Sequence, residues 1–199
     1  PGVEVKLGEN DVLLIKGPNV MLGYWNNSEA TKAVLSDDGW LNSGDVASID
    51  EAGHVTITGR LKEIIVLSTG EKVPPGDMES AIMRDPLFEQ VMVIGEGRSY
   101  LSVLAVLNAD NWQKMAALYG LDMNLSNPNQ KAQVEEILLD KVTNQTNEFP
   151  GYARIRRVAL ITEAWTVENE LLTSTLKLRR LKMMAHFKDE VERLYDGRS

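Results

Sequence analysis

Asp45, Arg60 and Lys177 are the side chains of this 199-residue chain whose neighbours in sequence point to chemistry. Asp45 closes the stretch Gly39-Trp40-Leu41-Asn42-Ser43-Gly44-Asp45, and Arg60 follows Gly59. Between them, Val46, Ile49, Val55 and Ile57 alternate with polar residues around the turn Asp50-Glu51-Ala52-Gly53, which predicts a half-buried hairpin. Both charges then lie at the rim of one small sheet. A carboxylate there can accept hydrogen bonds from ribose hydroxyls, and a guanidinium can face ribose or phosphate oxygens. The same spacing also fits a surface ion pair, worth about 0–1 kcal/mol. Lys177 lies in Leu172-Thr173-Ser174-Thr175-Leu176-Lys177-Leu178-Arg179-Arg180. The three hydroxyl residues can each cap a helix, so Lys177 is predicted in the first turn of the last helix or the loop before it. A cation there works against the helix dipole by about 0.3–1 kcal/mol. Backbone N–H groups and an ammonium pointing the same way would nevertheless stabilise an anion. A solvated lysine is the alternative.

The elements that must position these residues divide into two differently built halves. Val3–Leu7 and Asp11–Lys16 flank the turn Gly8-Glu9-Asn10 as a hairpin. Tyr24 and Trp25 could face a ligand, although packing beneath the loop that carries Asp45 is the preferred reading. A short helix runs from Ser28, read as its cap, to about Leu35. Gly59-Arg60-Leu61-Lys62-Glu63 is a charged interruption with too few apolar residues to be core, and reads as a hinge. Beyond it, Ile64–Leu67 is an apolar run of strand length, and the pattern becomes an alternation of helices and strands. A helix spans Gly76–Arg84, with Asp77 and Glu79 suited to its positive end. Val91–Ile94 and Leu101–Leu107 are strands to be buried against helices. Asp110 to Gln113 has capping-box spacing for a helix ending near Gly120. Asn127-Pro128 opens another helix, with Val134, Ile137, Leu138 and Val142 on its apolar face. Leu121–Ser126 and Thr162–Leu171 read as surface loops. Val158–Ile161 is a strand preceded by Arg154, Arg156 and Arg157, which could meet phosphates or blunt a sheet edge. The last helix continues its apolar face through Met184, Phe187, Val191 and Leu194.

Composition narrows the function classes. With 43% hydrophobic and 25% charged residues the chain reads as globular and long enough to bury a core. A formal net charge of -8 argues against general nucleic-acid binding. There are no cysteines, hence no disulfide framework, thiolate metal site or cysteine-borne acyl intermediate. His54 and His186 lack ligand-spaced partners, so no metal site or triad is expected. No apolar run approaches the roughly 18 residues of a membrane span, and a cytoplasmic location is expected. The start, Pro1-Gly2-Val3, already reads as a strand, as if cut from a longer protein.

The sequence G-W-x-x-[ST]-G-D, then G-R-x-K-[DE], then a Gly-containing turn before Val73-Pro74-Pro75, resembles the adenylate-forming superfamily. That superfamily includes acyl-CoA synthetases, peptide-synthetase adenylation domains and luciferases. Lys62 within Gly59-Arg60-Leu61-Lys62-Glu63 and the form L-T-x-T-L-K are most similar to long-chain fatty acyl-CoA synthetases, and the likeness covers the whole chain as the last third of such an enzyme. The resemblance implies an α+β fold. Residues 1–61 would be the β-rich end of a large domain with its ribose-binding loop, and residues 62–199 a mobile lid with a small sheet flanked by helices. It implies a ligase that uses ATP and a carboxylic acid to make an acyl-adenylate, from which CoA displaces AMP. Asp45 would hold the ribose, Arg60 would contact ribose or phosphate, Lys62 would be the hinge and Lys177 the adenylation lysine. Lid rotation would bring the Ser68–Lys72 turn to the CoA channel, where Gly70 allows close backbone approach and Lys72 meets polar groups of the substrate. Relatives commonly have Pro where this chain has Ser174. The phosphate loop, the Mg²⁺ ligand and the acid pocket are expected outside these residues, in the missing N-terminal domain that would be the lid's partner. Peripheral membrane contact of the parent stays open. So do two alternatives, a peptide-synthetase-like adenylation domain serving a carrier protein and a non-catalytic module that binds a nucleotide or a partner.

Overall fold

Alternation of side chains in the N-terminal residues produces a sheet. In a computed structural model, which describes residues 2–122 and 128–196, the chain divides into two units, residues 1–64 and 65–199. In the first unit, β1 (Glu4–Leu7), β2 (Val12–Lys16), β3 (Leu41–Ile49) and β4 (Val55–Arg60) form an antiparallel sheet in that order. Helix α1 (Ser28–Val34) is capped by Asn27, whose side chain accepts from the Ala30 N–H, and not by Ser28. The hairpin of β3 and β4 forms, but only its β3 side is half-buried. Val46 and Ala47 are buried, whereas Val55 and Ile57 are exposed within this unit. Tyr24 and Trp25 are also exposed there, Trp25 at 92%, so no packing beneath the loop of Asp45 is found.

The second unit is built on the three-stranded sheet β7 (Phe88–Ile94), β8 (Leu101–Leu107) and β9 (Ile155–Leu160). β7 and β8 are antiparallel, and β9 joins β8 in parallel. Because side chains alternate, β8 sends Leu101, Val103 and Ala105 to one face and Leu104 and Val106 to the other. The first face is covered by α2 (Pro75–Ile82), α3 (Ala109–Tyr119) and α4 (Pro128–Gln145). Val134, Leu138 and Val142 of α4 are fully buried there, each contributing about 1.5–3 kcal/mol. The second face is covered by α5 (Arg180–His186) and α6 (Lys188–Tyr195) through Met183, Phe187, Val191 and Leu194.

Several expectations are corrected. The run Ile64–Leu67 yields only a two-residue strand, β5 (Ile65–Val66), paired with β6 (Lys72–Val73). Helix α3 is capped two residues earlier than Asp110, by Asn108, which accepts from Asn111 N–H, and it ends on Gly120 in the left-handed region. The expected cap Asn127 lies outside the described residues, as does most of the loop before it, and Leu121 of that loop is buried in the core. Trp165 and Leu171 are not on an exposed loop but plug the second face. The last helix starts at Arg180 and breaks at Phe187, where φ -99° and ψ 30° leave the helical region. Met183, in place of Met184, then carries the buried face with Phe187. Among the described residues no helix is long and apolar enough to cross a membrane.

Candidate functional site

In the first unit, strand pairing sets Asp45 directly opposite Arg60. Gly44 makes this possible, since its φ of +72° would strain any side chain. The Ser43 hydroxyl donates to the Leu13 carbonyl at 2.9 Å and accepts from the Asp45 N–H at 3.0 Å, so the backbone before the carboxylate is fixed. Arg60 Nε lies 2.8 Å from Asp45 Oδ1, and its Nη1 donates to the Ser43 carbonyl at 3.2 Å. The ion pair is therefore formed. It engages one oxygen of Asp45, and Oδ2 carries no hydrogen bond among the described residues. A half-buried carboxylate with a free acceptor oxygen beside a guanidinium suits a vicinal diol. Trp40 of the same stretch lies under the ammonium of Lys6, 4.1 Å from its ring centre, so it serves local packing. Lys62 sits exposed in a single 3-10 turn, Leu61–Glu63, immediately after β4.

The remaining residues of interest belong to the second unit. Gly70 forms the turn between β5 and β6 with φ +94° and donates to the Leu67 carbonyl at 2.9 Å. A side chain added at Gly70 would meet nothing within 4 Å, so the space in front of it is open. Lys72 stands on β6 opposite Val66.

Lys177 does not lie in a helix. It occupies a turn closed by the antiparallel bridge between Leu172 and Leu178. The Thr173 N–H donates to the Lys177 carbonyl at 2.9 Å, and the Lys177 N–H donates to Thr173 Oγ1 at 3.0 Å. Leu176 adopts φ +60° to close the turn. Thr173 thus caps a turn and not a helix, and the expected union of the ammonium with a helix N-terminus is not found. Lys177 is exposed, and among the described residues no carboxylate pairs with it. The chain before and after the turn is heavily tied. Glu163 pairs with His186 at 2.8 Å and Glu170 pairs with Lys182. Hydrogen bonds from these partners hold both carboxyls below the usual carboxylate range. An open groove beside the turn is lined by Glu79, Gln90, Trp165, Leu172 and Lys177, and not by Gly70 or Lys72.

Sequence reasoning missed Glu79, which it placed in favour of a helix dipole. Glu79 instead pairs with Arg180 at 2.6 Å and accepts from the Val93 N–H at 2.8 Å. The only local sign was Arg180 itself, at the end of the stretch that carries Lys177. Arg156 and Arg157 are exposed on β9 and Arg154 is exposed just before it, with Arg156 lying over the ring of Tyr100. No group of three His, Cys, Asp or Glu among the described residues is placed to hold a metal.

Comparison with known proteins gives this geometry a context. The model of the AMP-binding enzyme C-terminal domain family matches residues 62–199. A chloroplastic long-chain-fatty-acid–[acyl-carrier-protein] ligase of Arabidopsis thaliana is 32% identical over 94% of this chain and 26% of its own length. A long-chain-fatty-acid–CoA ligase of Mycobacterium tuberculosis is 30% identical over 98% of this chain and 33% of its own. The chain thus spans a third or less of these relatives. A similar solved structure is the A domain of carboxylic acid reductase from Segniliparus rugosus, in complex with AMP and a co-purified carboxylic acid. It has a TM-score of 0.79 and 28% identity, over 98% of this chain and 32% of that one. With the family match running from the single turn at Lys62 through the Lys177 turn to the last residue, this chain belongs to the AMP-binding enzyme C-terminal domain family of the adenylate-forming superfamily.

Proposed function

We propose that this chain is the C-terminal part of an ATP-dependent long-chain acyl-CoA synthetase acting in the cytoplasm. The observation that carries the reading is Lys177, exposed on a tied-down turn with no carboxylate neutralising it, inside the region of the family match. In the first step a fatty carboxylate oxygen attacks the α-phosphorus of ATP, the bond to the bridging oxygen breaks and pyrophosphate leaves. Charge grows on the α-phosphate oxygens, and the Lys177 ammonium meets it. In the second step the CoA sulfur attacks the acyl carbonyl, and AMP leaves with the carboxyl oxygen. Asp45 holds the ribose hydroxyls through its free oxygen, and Arg60 faces ribose or phosphate. Lys62 is the hinge about which residues 62–199 turn between the steps, bringing Gly70 and Lys72 toward CoA. Mg²⁺ would offset phosphate charge when bound, with its ligand supplied by the parent outside residues 1–199. Fatty-acid-dependent pyrophosphate release by the full-length parent tests the reading. Nucleotide binding without that release would favour a non-catalytic module.

A second reading has a specific observation behind it. The Arabidopsis relative is named for an acyl-carrier-protein acceptor. Thioester formation by the parent with CoA and with acyl carrier protein, offered separately, decides between the two acceptors.

Asp45→Ala in the parent removes the acceptor of charge-assisted hydrogen bonds worth about 1.5–3 kcal/mol each, so the Kd for AMP rises at least about tenfold. An unchanged Kd, measured by calorimetry, would leave Asp45 as no more than the ion-pair partner of Arg60. Lys62→Pro fixes φ near about -65° and restricts Leu61 to extended conformations. One half-reaction is then expected to survive better than the other, in stopped-flow assays of each. Equal loss of both in a folded variant would remove Lys62 as the hinge.

A further inference from the structure

Three side chains outside the Lys177 turn tie its two feet to the same strand. On this basis we propose that Gln90, Glu79 and Arg180 are positioning residues for Lys177, an inference that rests on the adenylation role given above. The turn has few means of holding its own shape. Lys177 and Leu176 are exposed, Leu176 at 71%, and the internal bonds are a handful of backbone contacts with the hydroxyls of Thr173 and Thr175.

The foot before the turn is gripped by Gln90. Its carboxamide oxygen accepts from the Trp165 N–H at 2.7 Å, and its amide nitrogen donates to the Trp165 carbonyl at 2.8 Å. The Trp165 ring is buried below, and the adjoining Thr166 carbonyl accepts from the N–H of Leu172, where the turn begins. The foot after the turn is gripped by Arg180, which follows Lys177 by three positions. Arg180 Nη1 donates to the Val93 carbonyl at 3.1 Å, and Nη2 donates to both oxygens of Glu79 at 2.6 Å. Glu79 also accepts from the N–H of Val93. Gln90 and Val93 both belong to β7, so one rigid strand registers both feet.

Stability alone is a weak reason for this arrangement, because a partly buried ion pair often contributes no more than packed apolar residues would. It does fix geometry, through a planar fork with defined donor directions. It also occupies the Glu79 carboxylate, which lines the same groove as Lys177. With Arg180 in place, that anion is already paired, and the Lys177 ammonium is left for a phosphate.

The test uses the full-length parent with Gln90→Ala, Arg180→Ala and Arg180→Lys, each alone and combined with Lys177→Ala. Pyrophosphate release, thioester formation from synthetic acyl-adenylate and melting temperature are read for all. Misplacing a reacting group by about 1 Å costs roughly 10²-fold in rate, so Gln90→Ala and Arg180→Ala are expected to slow adenylation by about that factor. Thioester formation is expected to hold, and neither change should slow adenylation further once Lys177 is Ala. Arg180→Lys keeps the charge without the fork, and its adenylation rate is expected between those of Arg180→Ala and the parent. Should Arg180→Ala fail to fold, Gln90→Ala and Arg180→Lys decide. Unchanged adenylation in the folded variants, equal losses in both half-reactions, or losses that add to that of Lys177→Ala would each overturn the proposal. If Lys177→Ala alone leaves adenylation intact, the adenylation reading itself fails and the proposal falls with it. Loss in Lys177→Ala but not in the other variants removes only the positioning role.

Discussion

The purified 199-residue chain is expected to form no acyl-CoA from fatty acid, ATP and CoA. It spans 26% and 33% of the length of the two ligases compared above. The proposed reaction needs the carboxylate and the α-phosphate held within bonding distance of one another. Such positioning supplies roughly 7–11 kcal/mol of the barrier in well-oriented systems. An exposed lysine on a turn cannot replace it, since the role proposed for Lys177 is to meet charge that appears only once the reactants are aligned. Acyl-CoA detected by chromatography, above a control lacking the chain, would mean that residues 1–199 assemble a complete site, and the division of labour proposed here would be wrong.

The second large effect is expected from Lys177→Ala in the parent. One preorganised electrostatic contact to a developing anion is typically worth about 10²–10³ in rate, roughly 2.7–4 kcal/mol. The lysine side chain is unpaired among the described residues, so its removal leaves no orphaned carboxylate and little cost in stability. Loss of rate without loss of fold is therefore expected. If the hinge turns the lid between steps, Lys177 has left the site before the thiol attacks, and the second half-reaction should be spared.

The parts of this site that depend on local pattern were legible in the sequence. That Asp45 and Arg60 lie at the same end of one hairpin follows from period-two alternation around its turn. Their direct pairing depends on a one-residue register shift between Val46 and Ala47, without which Asp45 would face Gly59, and that shift has no signature in the alternation. The burial of β7 and β8 against helices could be read from runs of apolar residues too continuous for a one-sided sheet. What was lost is what depends on distant partners. Thr173, Ser174 and Thr175 have the chemistry of helix caps, and only the Leu172–Leu178 bridge shows that they shape a turn instead. Thr162–Leu171 shows no periodicity because its burial is that of single residues, Trp165 and Leu171, dropped into a core formed by other elements. Glu79 and Arg180 lie 101 positions apart, so no window of sequence contains both. The cap of α3 was missed for a smaller reason, since Asn108 and Asp110 are both good caps and the two readings differ by half a turn.

The most direct measurement compares both half-reactions of Lys177→Ala with those of the unsubstituted parent under one set of conditions. Pyrophosphate release reports adenylation, and CoA consumption with synthetic acyl-adenylate reports thioester formation. The expected result is a fall of about 10²–10³-fold in the first rate with the second nearly unchanged. Equal falls in both rates, or no fall in either, would contradict a lysine that serves adenylation alone on a rotating lid.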